Sequence, residues 1–294
     1  MRPFRKRLKI LTLQLLALLS VVRGYNLFLI ASAQYLAAIC ILSDKAYWHT
    51  LLDYRLFLLI LASTFIIAAG YIVNNFYDSE KDWINRPYQA LLNKHISQHF
   101  KLNIYMLLNI LGLAAAMAVS YRACTFFVWY ALFLWFYSHR LKKITFVGNL
   151  TAALLSVIPF AALFIYYFHF NWIIFIHAGF LFLLLLTREI VKDFTSIRGD
   201  FICYYPTLPV VLGVPKTKRI ASLIILLTGV PGWLLTKSFR TGAMHYYFYF
   251  CLVALLTGLA MLYRAQSQRE FAQLHHLLRL IIVLGVFSIA LIKW

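Results

Sequence analysis

The sequence predicts an all-α integral membrane protein with about nine transmembrane helices in one bundle. Three observations lead there. Of 294 residues, 63% are hydrophobic and only 13% charged, about half the charged share of a soluble domain, so lipid must replace water over much of the surface. Apolar stretches long enough to cross the roughly 30 Å hydrocarbon core recur along the whole chain. They lack the two-residue alternation of barrel strands, which leaves helices to satisfy every backbone polar group in lipid. One polytopic domain over 1–294 is expected, with no soluble module.

The first element is residues 1–24. Arg2, Arg5, Lys6, Arg7 and Lys9 precede an apolar run from Ile10 to Val22, the outline of a secretory signal. Arg23-Gly24-Tyr25-Asn26 interrupts that run well before the Ala31-Ser32-Ala33 triplet that would mimic a cleavage site. An uncleaved, basic, interfacial segment leading into the first span fits better. The spans then read Tyr25–Leu42, Leu56–Asn74, Leu102–Ser120, Cys124–Tyr137, Phe146–Phe168, Trp172–Thr187, Ile220–Thr236, Tyr246–Tyr263 and Leu277–Ile292. Trp48, Trp172, Trp233 and Trp294 fall near predicted ends, where amphipathic rings favour the interface. Cys40, Cys124, Cys203 and Cys251 are far apart, with no metal or disulfide spacing.

Charge sets the orientation. The N-terminal segment and the connections after spans 2, 4, 6 and 8 carry 22 of the 28 Lys and Arg residues, against 6 on the other side. Positive charge is retained on the cytoplasmic side, so the N-terminus and these loops are expected there, in a multi-pass protein of the cell (inner or plasma) membrane. The formal charge of +19 implies attraction to anionic membrane lipids. No nucleic-acid partner is expected, because the cations lie in short loops between spans.

The acids are more informative, because they are scarce. Of nine Asp and Glu residues, Asp78, Glu80 and Asp82 follow span 2, and Glu189, Asp193 and Asp200 follow span 6. Asp78 and Asp82 are four apart, as are Glu189 and Asp193, so on continuing helices each pair shares a face. Magnesium takes few carboxylates and completes its octahedron with water and phosphate oxygens. Lys81, Arg86, Arg140, Lys142, Lys143, Lys192 and Arg198 are interleaved with the acids and suited to phosphate oxygens. Acids for Mg2+ and bases for phosphate, beside an apolar bundle, describe a binder of a lipid diphosphate. The plain alternative is a set of interfacial ion pairs. Placing a cluster after the second helix of spans 1–4 and again of spans 5–8 suggests a 4+4 parallel internal repeat.

Asn74-Asn75-Phe76-Tyr77-Asp78-Ser79-Glu80-Lys81-Asp82 resembles the NDxxDxxxD motif of the UbiA superfamily of intramembrane prenyltransferases, and Asn85-Arg86-Pro87 resembles its continuation. Arg188-Glu189-Ile190-Val191-Lys192-Asp193, ending in Gly199-Asp200, resembles the second aspartate-rich motif. Tyr137-Ser138-His139-Arg140-Leu141-Lys142-Lys143 with Gly148-Asn149 is similar to the segment between spans 4 and 5. The resemblance covers nearly the whole chain. It implies a UbiA-like bundle that moves an isoprenyl chain from a prenyl diphosphate donor to a lipid-soluble or amphipathic acceptor. It also implies that Asn74, Asp78 and Asp82 bind one face of a magnesium diphosphate, and Glu189, Asp193 and Asp200 the other. Asp78, Asp82 and Asp193 are the expected catalytic carboxylates; Asn74, Arg86, Arg140, Lys142, Lys143 and Lys192 are the expected diphosphate contacts.

Two positions depart from the family pattern. Asn75 stands where Asp is usual, and Ser196 where many members carry another Asp. Val22–Leu27 and Ala69–Asn75 look most like bacterial members similar to geranylgeranylglycerol-phosphate geranylgeranyltransferases. That puts a glycerol-phosphate lipid precursor first among acceptors, ahead of an aromatic acid in quinone biosynthesis. A transporter is the rival from another class, but it would place charge near the midplane, where His177 and Gln34 are the deepest polar side chains. A non-catalytic membrane protein is the third reading, and it would leave the acidic clusters dispensable.

Overall fold

A computed structural model describes residues 2–168 and 171–293. In chain order the helices are α1 (Arg2–Val21), α2 (Gly24–Ala37), α3 (Tyr47–Leu51), α4 (Tyr54–Asn85), α5 (Pro87–Asn93), α6 (Gln98–Val119), α7 (Tyr121–His139), α8 (Val147–Tyr167), α9 (Trp172–Ile202), α10 (Leu208–Val211), α11 (Gly213–Thr236), α12 (His245–Arg264) and α13 (Gln268–Ser288). No strand occurs among the described residues, and no disulfide joins the four cysteines. Among the described residues, eight helical segments are long and apolar enough to cross a membrane, α2 being extended to Leu42 by a wider helical turn. The remaining expected span is α7, a 19-residue helix whose Trp129, Tyr130, Trp135 and Tyr137 dilute its hydropathy.

Spans 2 and 6 differ from expectation at their ends. Apolar character fades at Asn74 and Thr187, but the helices continue to Asn85 and Ile202. The reason is local. Hydropathy marks the edge of lipid, whereas a helix stops where backbone chemistry stops it, and no proline intervenes before Pro87 or Pro206. At 1.5 Å per residue, the 32 residues of α4 and the 31 of α9 reach about 48 and 46 Å, well beyond a core of roughly 30 Å.

The chain forms two compact units. The first comprises Met1–Ala31 and Tyr54–His139, and the second Ser32–Asp53 and Arg140–Trp294. In the first, α4 packs against α6 and α7 through small residues, as helices in lipid do when close backbone contact must replace a hydrophobic driving force. A Cβ added to Gly112 of α6 would stand 3.0 Å from the Ile66 side chain and 3.3 Å from the Ala62 carbonyl oxygen. Val21 and Val22 pack with Ala68 and Ile72 of α4, tying the end of α1 to the long helix. Arg23 then turns the chain at φ +52° into α2. Ser97 caps α6 by accepting from the Phe100 N–H at 3.2 Å.

In the second unit α9 packs against α8, α11 and α13. Phe194 and Phe271 stack with ring centroids 4.4 Å apart, and Phe180 meets Phe248 edge-on at 5.4 Å. Ser267 and Glu270 form a capping box that starts α13, each satisfying a backbone donor that a helix leaves open at its N-terminus. Gln34 is buried, as expected, and its Nε2 donates to the Pro159 carbonyl at 2.9 Å. Tyr166 donates to Asp53 Oδ2 at 2.6 Å.

The α4–α6 approach is testable. Gly112→Leu is expected to destabilise the protein by about 1–3 kcal/mol through overpacking, read as a lower melting temperature in detergent; an unchanged melting temperature would contradict the close contact.

Candidate functional site

In the first unit, the last turns of α4 carry Asn74, Asp78 and Asp82, all partly buried. Helical spacing puts the two carboxylates on one face. Asp82 feels the negative charge of Asp78 and the positive charges of Arg86, Arg23 and Lys81. Arg86 is brought there because it N-caps α5, where Pro87 restarts the helix. Arg23, not anticipated as a site residue, lies with its guanidinium 5.1 Å from the Tyr71 ring centroid. Its positive φ is the one signal that marks it, and a non-glycine residue in that region is uncommon enough to invite a functional explanation. Asn75, the departure from the usual Asp, accepts a hydrogen bond from Lys101 Nζ at 3.0 Å. On α7, His139 Nδ1 lies 3.1 Å from the Tyr77 hydroxyl and its ring stacks on Trp135.

In the second unit, α9 presents Glu189, Lys192, Asp193 and Asp200. Glu189 is engaged through both oxygens, with Arg188 Nη2 2.7 Å from Oε1 and Lys192 Nζ 2.6 Å from Oε2. It therefore holds two cations in place. Asp193 is buried, and its Oδ2 accepts from Asn149 Nδ2 of α8 at 2.8 Å. Asp200 is fully buried, and its Oδ2 accepts from Ser196 Oγ at 2.8 Å and from Thr207 Oγ1 at 3.2 Å. Ser196, the second departure, thus fixes a neighbouring carboxylate where another acid would repel it.

Arg140, Lys142 and Lys143 lie on the turn between α7 and α8. Lys142 and Lys143 stand 6.0 and 5.7 Å from the Tyr205 ring centroid. Gly148 makes that turn feasible, because a Cβ there would meet the Lys142 carbonyl oxygen at 3.0 Å. Thr145 Oγ1 donates to the Pro206 carbonyl at 2.7 Å, and the Tyr205 N–H donates to the Asp200 carbonyl at 2.8 Å. The two turns of this unit are therefore bound to each other and to the acid that ends α9. Asn149, Tyr205 and Thr207 were not among the expected site residues; only Gly148-Asn149 had been singled out as a motif.

Among the described residues, no group of three or more His, Cys, Asp or Glu side chains is arranged to hold a metal ion. Magnesium does not require one, since it keeps several waters and takes one or two carboxylates together with substrate phosphates. The i,i+4 pair Asp78 and Asp82, with cations beside it, suits that use. The second unit also holds an apolar cavity of about 130 Å³, lined in part by Ala37, Phe160, Phe164, Ala178, Tyr247 and Phe248, with His177 in its wall. His177 Nδ1 donates to the Ile173 carbonyl at 2.8 Å within its own helix.

Comparison with known proteins gives the family and the fold. Residues 36–281 match the UbiA prenyltransferase family. A digeranylgeranylglyceryl phosphate synthase of Saccharolobus solfataricus is 34% identical over 164 residues, 55% of this chain and 58% of the relative's own length. One from Thermococcus gammatolerans is 29% identical over 223 residues, 75% of this chain and 79% of the relative. Among solved structures, a digeranylgeranylglyceryl phosphate synthase in membranes superposes with TM-score 0.70 at 23% identity, covering 95% of this chain and 99% of its own. A UbiA homologue from Archaeoglobus fulgidus bound to GPP and Mg2+ gives 0.67 at 16% identity, over 93% and 99%. At these identities the structures establish the fold.

The Glu189 ion pairs carry their own test. Glu189→Gln leaves one neutral acceptor oxygen for two cations and turns an amide NH2 donor toward the other, and is expected to cost about 1–3 kcal/mol, measured as a drop in melting temperature; equal stability would remove the anchoring role.

Proposed function

This chain belongs to the UbiA prenyltransferase family, and from that premise we propose that it transfers an isoprenyl chain from a prenyl diphosphate to a glycerol-phosphate lipid precursor. The carrying observation is the pair Asp78 and Asp82, one turn apart beyond the apolar part of α4 with cations around them. The named relatives favour glycerol phosphate over an aromatic acid as acceptor. The chain spans 58% of the length of the S. solfataricus relative.

Asp78, Asp82 and Asp193 are assigned as metal-facing carboxylates, with Asn74 as a neutral ligand beside them. Magnesium, when bound with the diphosphate, supplies the charge that stabilises the leaving group. Arg86, Arg140, Lys142, Lys143 and Lys192 bind diphosphate oxygens directly. Glu189 acts by orienting Arg188 and Lys192, and Asp200 by ordering the turn that carries Tyr205; both support the ligands. As the bond between C1 and the diphosphate oxygen breaks, the pair of electrons leaves with the diphosphate, and the acceptor hydroxyl oxygen attacks C1 and gives up its proton to the departing diphosphate. Aromatic faces are the natural stabilisers of the allylic cation. The cavity beside His177, about 18 Å along α9 from Glu189, takes part of an isoprenyl chain. The 22-to-6 distribution of Lys and Arg supports a cytoplasmic N-terminus and cytoplasmic acidic motifs.

Purified protein given a radiolabelled prenyl diphosphate and a panel of acceptors should turn over only with magnesium. Asp78→Ala and Asp193→Ala should each lower turnover by roughly 100-fold or more; Asp78→Ala should leave the melting temperature near that of wild type, whereas Asp193→Ala also strands the buried Asn149 amide and should lower it. Undiminished activity in both variants would overturn the site assignment. Ala178→Phe should shift donor preference toward shorter chains, and an unaltered chain-length profile would remove the cavity from the reading.

A further inference from the structure

Lys101 sits in the first turn of α6 and is only 5% exposed. Its Nζ donates to Asn75 Oδ1 of α4 at 3.0 Å, and among the described residues no carboxylate lies within 4 Å of it. An ammonium has three donors, and here one of them meets a neutral amide oxygen. Burying an ion without a counter-charge costs several kcal/mol, which a methionine or leucine of similar volume would avoid. An apolar residue would serve packing better, so the retained charge calls for an anionic partner.

The location narrows that partner. Asn75 lies three residues before Asp78 and seven before Asp82 on the same helix, so Lys101 is tied to the turn that opens the first acidic motif. An aspartate at position 75 would pair with Lys101 and cancel its charge. The asparagine orients the same ammonium through a hydrogen bond and leaves the charge intact. Loss of a carboxylate at this position and a buried, uncompensated cation at its side chain are thus one arrangement.

We propose that Asn75 and Lys101 form a phosphate subsite, in which the Lys101 ammonium contacts a phosphate oxygen directly where the usual aspartate would favour a metal. The phosphate belongs either to the departing diphosphate or to a phosphorylated acceptor; the chemistry recognised is the same. This rests on the functional reading above and adds that the first motif of this chain leans less on magnesium than its carboxylate-richer relatives. The competing explanation is a structural tether between α4 and α6.

Asn75→Asp separates the two, because it keeps the tether as an ion pair and removes the free charge. Binding of inorganic pyrophosphate and of sn-glycerol 1-phosphate to the detergent-solubilised full chain would be measured by calorimetry, in EDTA and in magnesium, for wild type, Asn75→Asp, Lys101→Met and Asp78→Asn. In EDTA, wild type should bind pyrophosphate at least about tenfold more tightly than Asn75→Asp and Lys101→Met, and magnesium should restore affinity most in Asn75→Asp. The same loss confined to glycerol phosphate would support the subsite and assign it to the acceptor. Equal affinity of wild type and Asn75→Asp for both anions in EDTA would overturn the proposal. If Asp78→Asn bound magnesium pyrophosphate as wild type does, the functional reading itself would fail, whatever Lys101 does.

Discussion

The backbone hydrogen bonds of α4 and α9 continue without a break past the point where their side chains cease to be apolar. That continuity puts Asp78 above Asp82 on one face and Glu189 above Asp193 on another. In a loop the same residues would have been free to point anywhere, and each would have needed its own turn chemistry to fix it. A helix fixes them at once, at the cost of projecting charged turns from the membrane core, which the surrounding Lys and Arg side chains offset. The acids and bases are accordingly arranged as local partners as much as binding groups, most plainly where Glu189 spans Arg188 and Lys192.

The two departures from the family pattern have unlike consequences. Ser196 exchanges a repulsive neighbour for a donor and holds Asp200 by a hydrogen bond of 2.8 Å. Asn75 exchanges an ion pair for a neutral contact and leaves a buried cation uncancelled. Each removes one negative charge from the sequence, but one lowers local strain and the other retains local charge. Counting carboxylates alone treats them as equivalent losses.

Much of this was legible in the chain. Length and spacing of apolar runs located the spans, because lipid leaves a helix as the solution for backbone polar groups. Scarcity of acids drew attention to α4 and α9, and their i,i+4 spacing gave the shared faces. Hydropathy gave the apolar spans but not the helix ends: the i,i+4 acids implied that the helices continue, while the stops at Asn85 and Ile202 carry no hydropathy signal. Thr207 and Lys101 carried no local signal, since each matters through a partner at least seven positions away, with Lys101 to Asn75 separated by 26 residues; Asn149 was marked by the resemblance, but not its bond to Asp193. The resemblance implied Glu189 as a ligand, and spacing gave its shared face with Asp193; neither reveals that its two oxygens hold Arg188 and Lys192.

Thr145 reaches Pro206, Tyr205 reaches Asp200, and Gly148 lets the backbone close over Lys142. Mechanically, these contacts join two connectors far apart in sequence into a single bracket. A connector left free would sample many positions, and Lys142 and Lys143 would lose that freedom only on meeting an anion. A bracket loses that freedom once, during folding, so Lys142 and Lys143 are already held together before any anion arrives. The hydroxyl of one threonine, remote from the acids in sequence, therefore bears on how sharply an anion is bound.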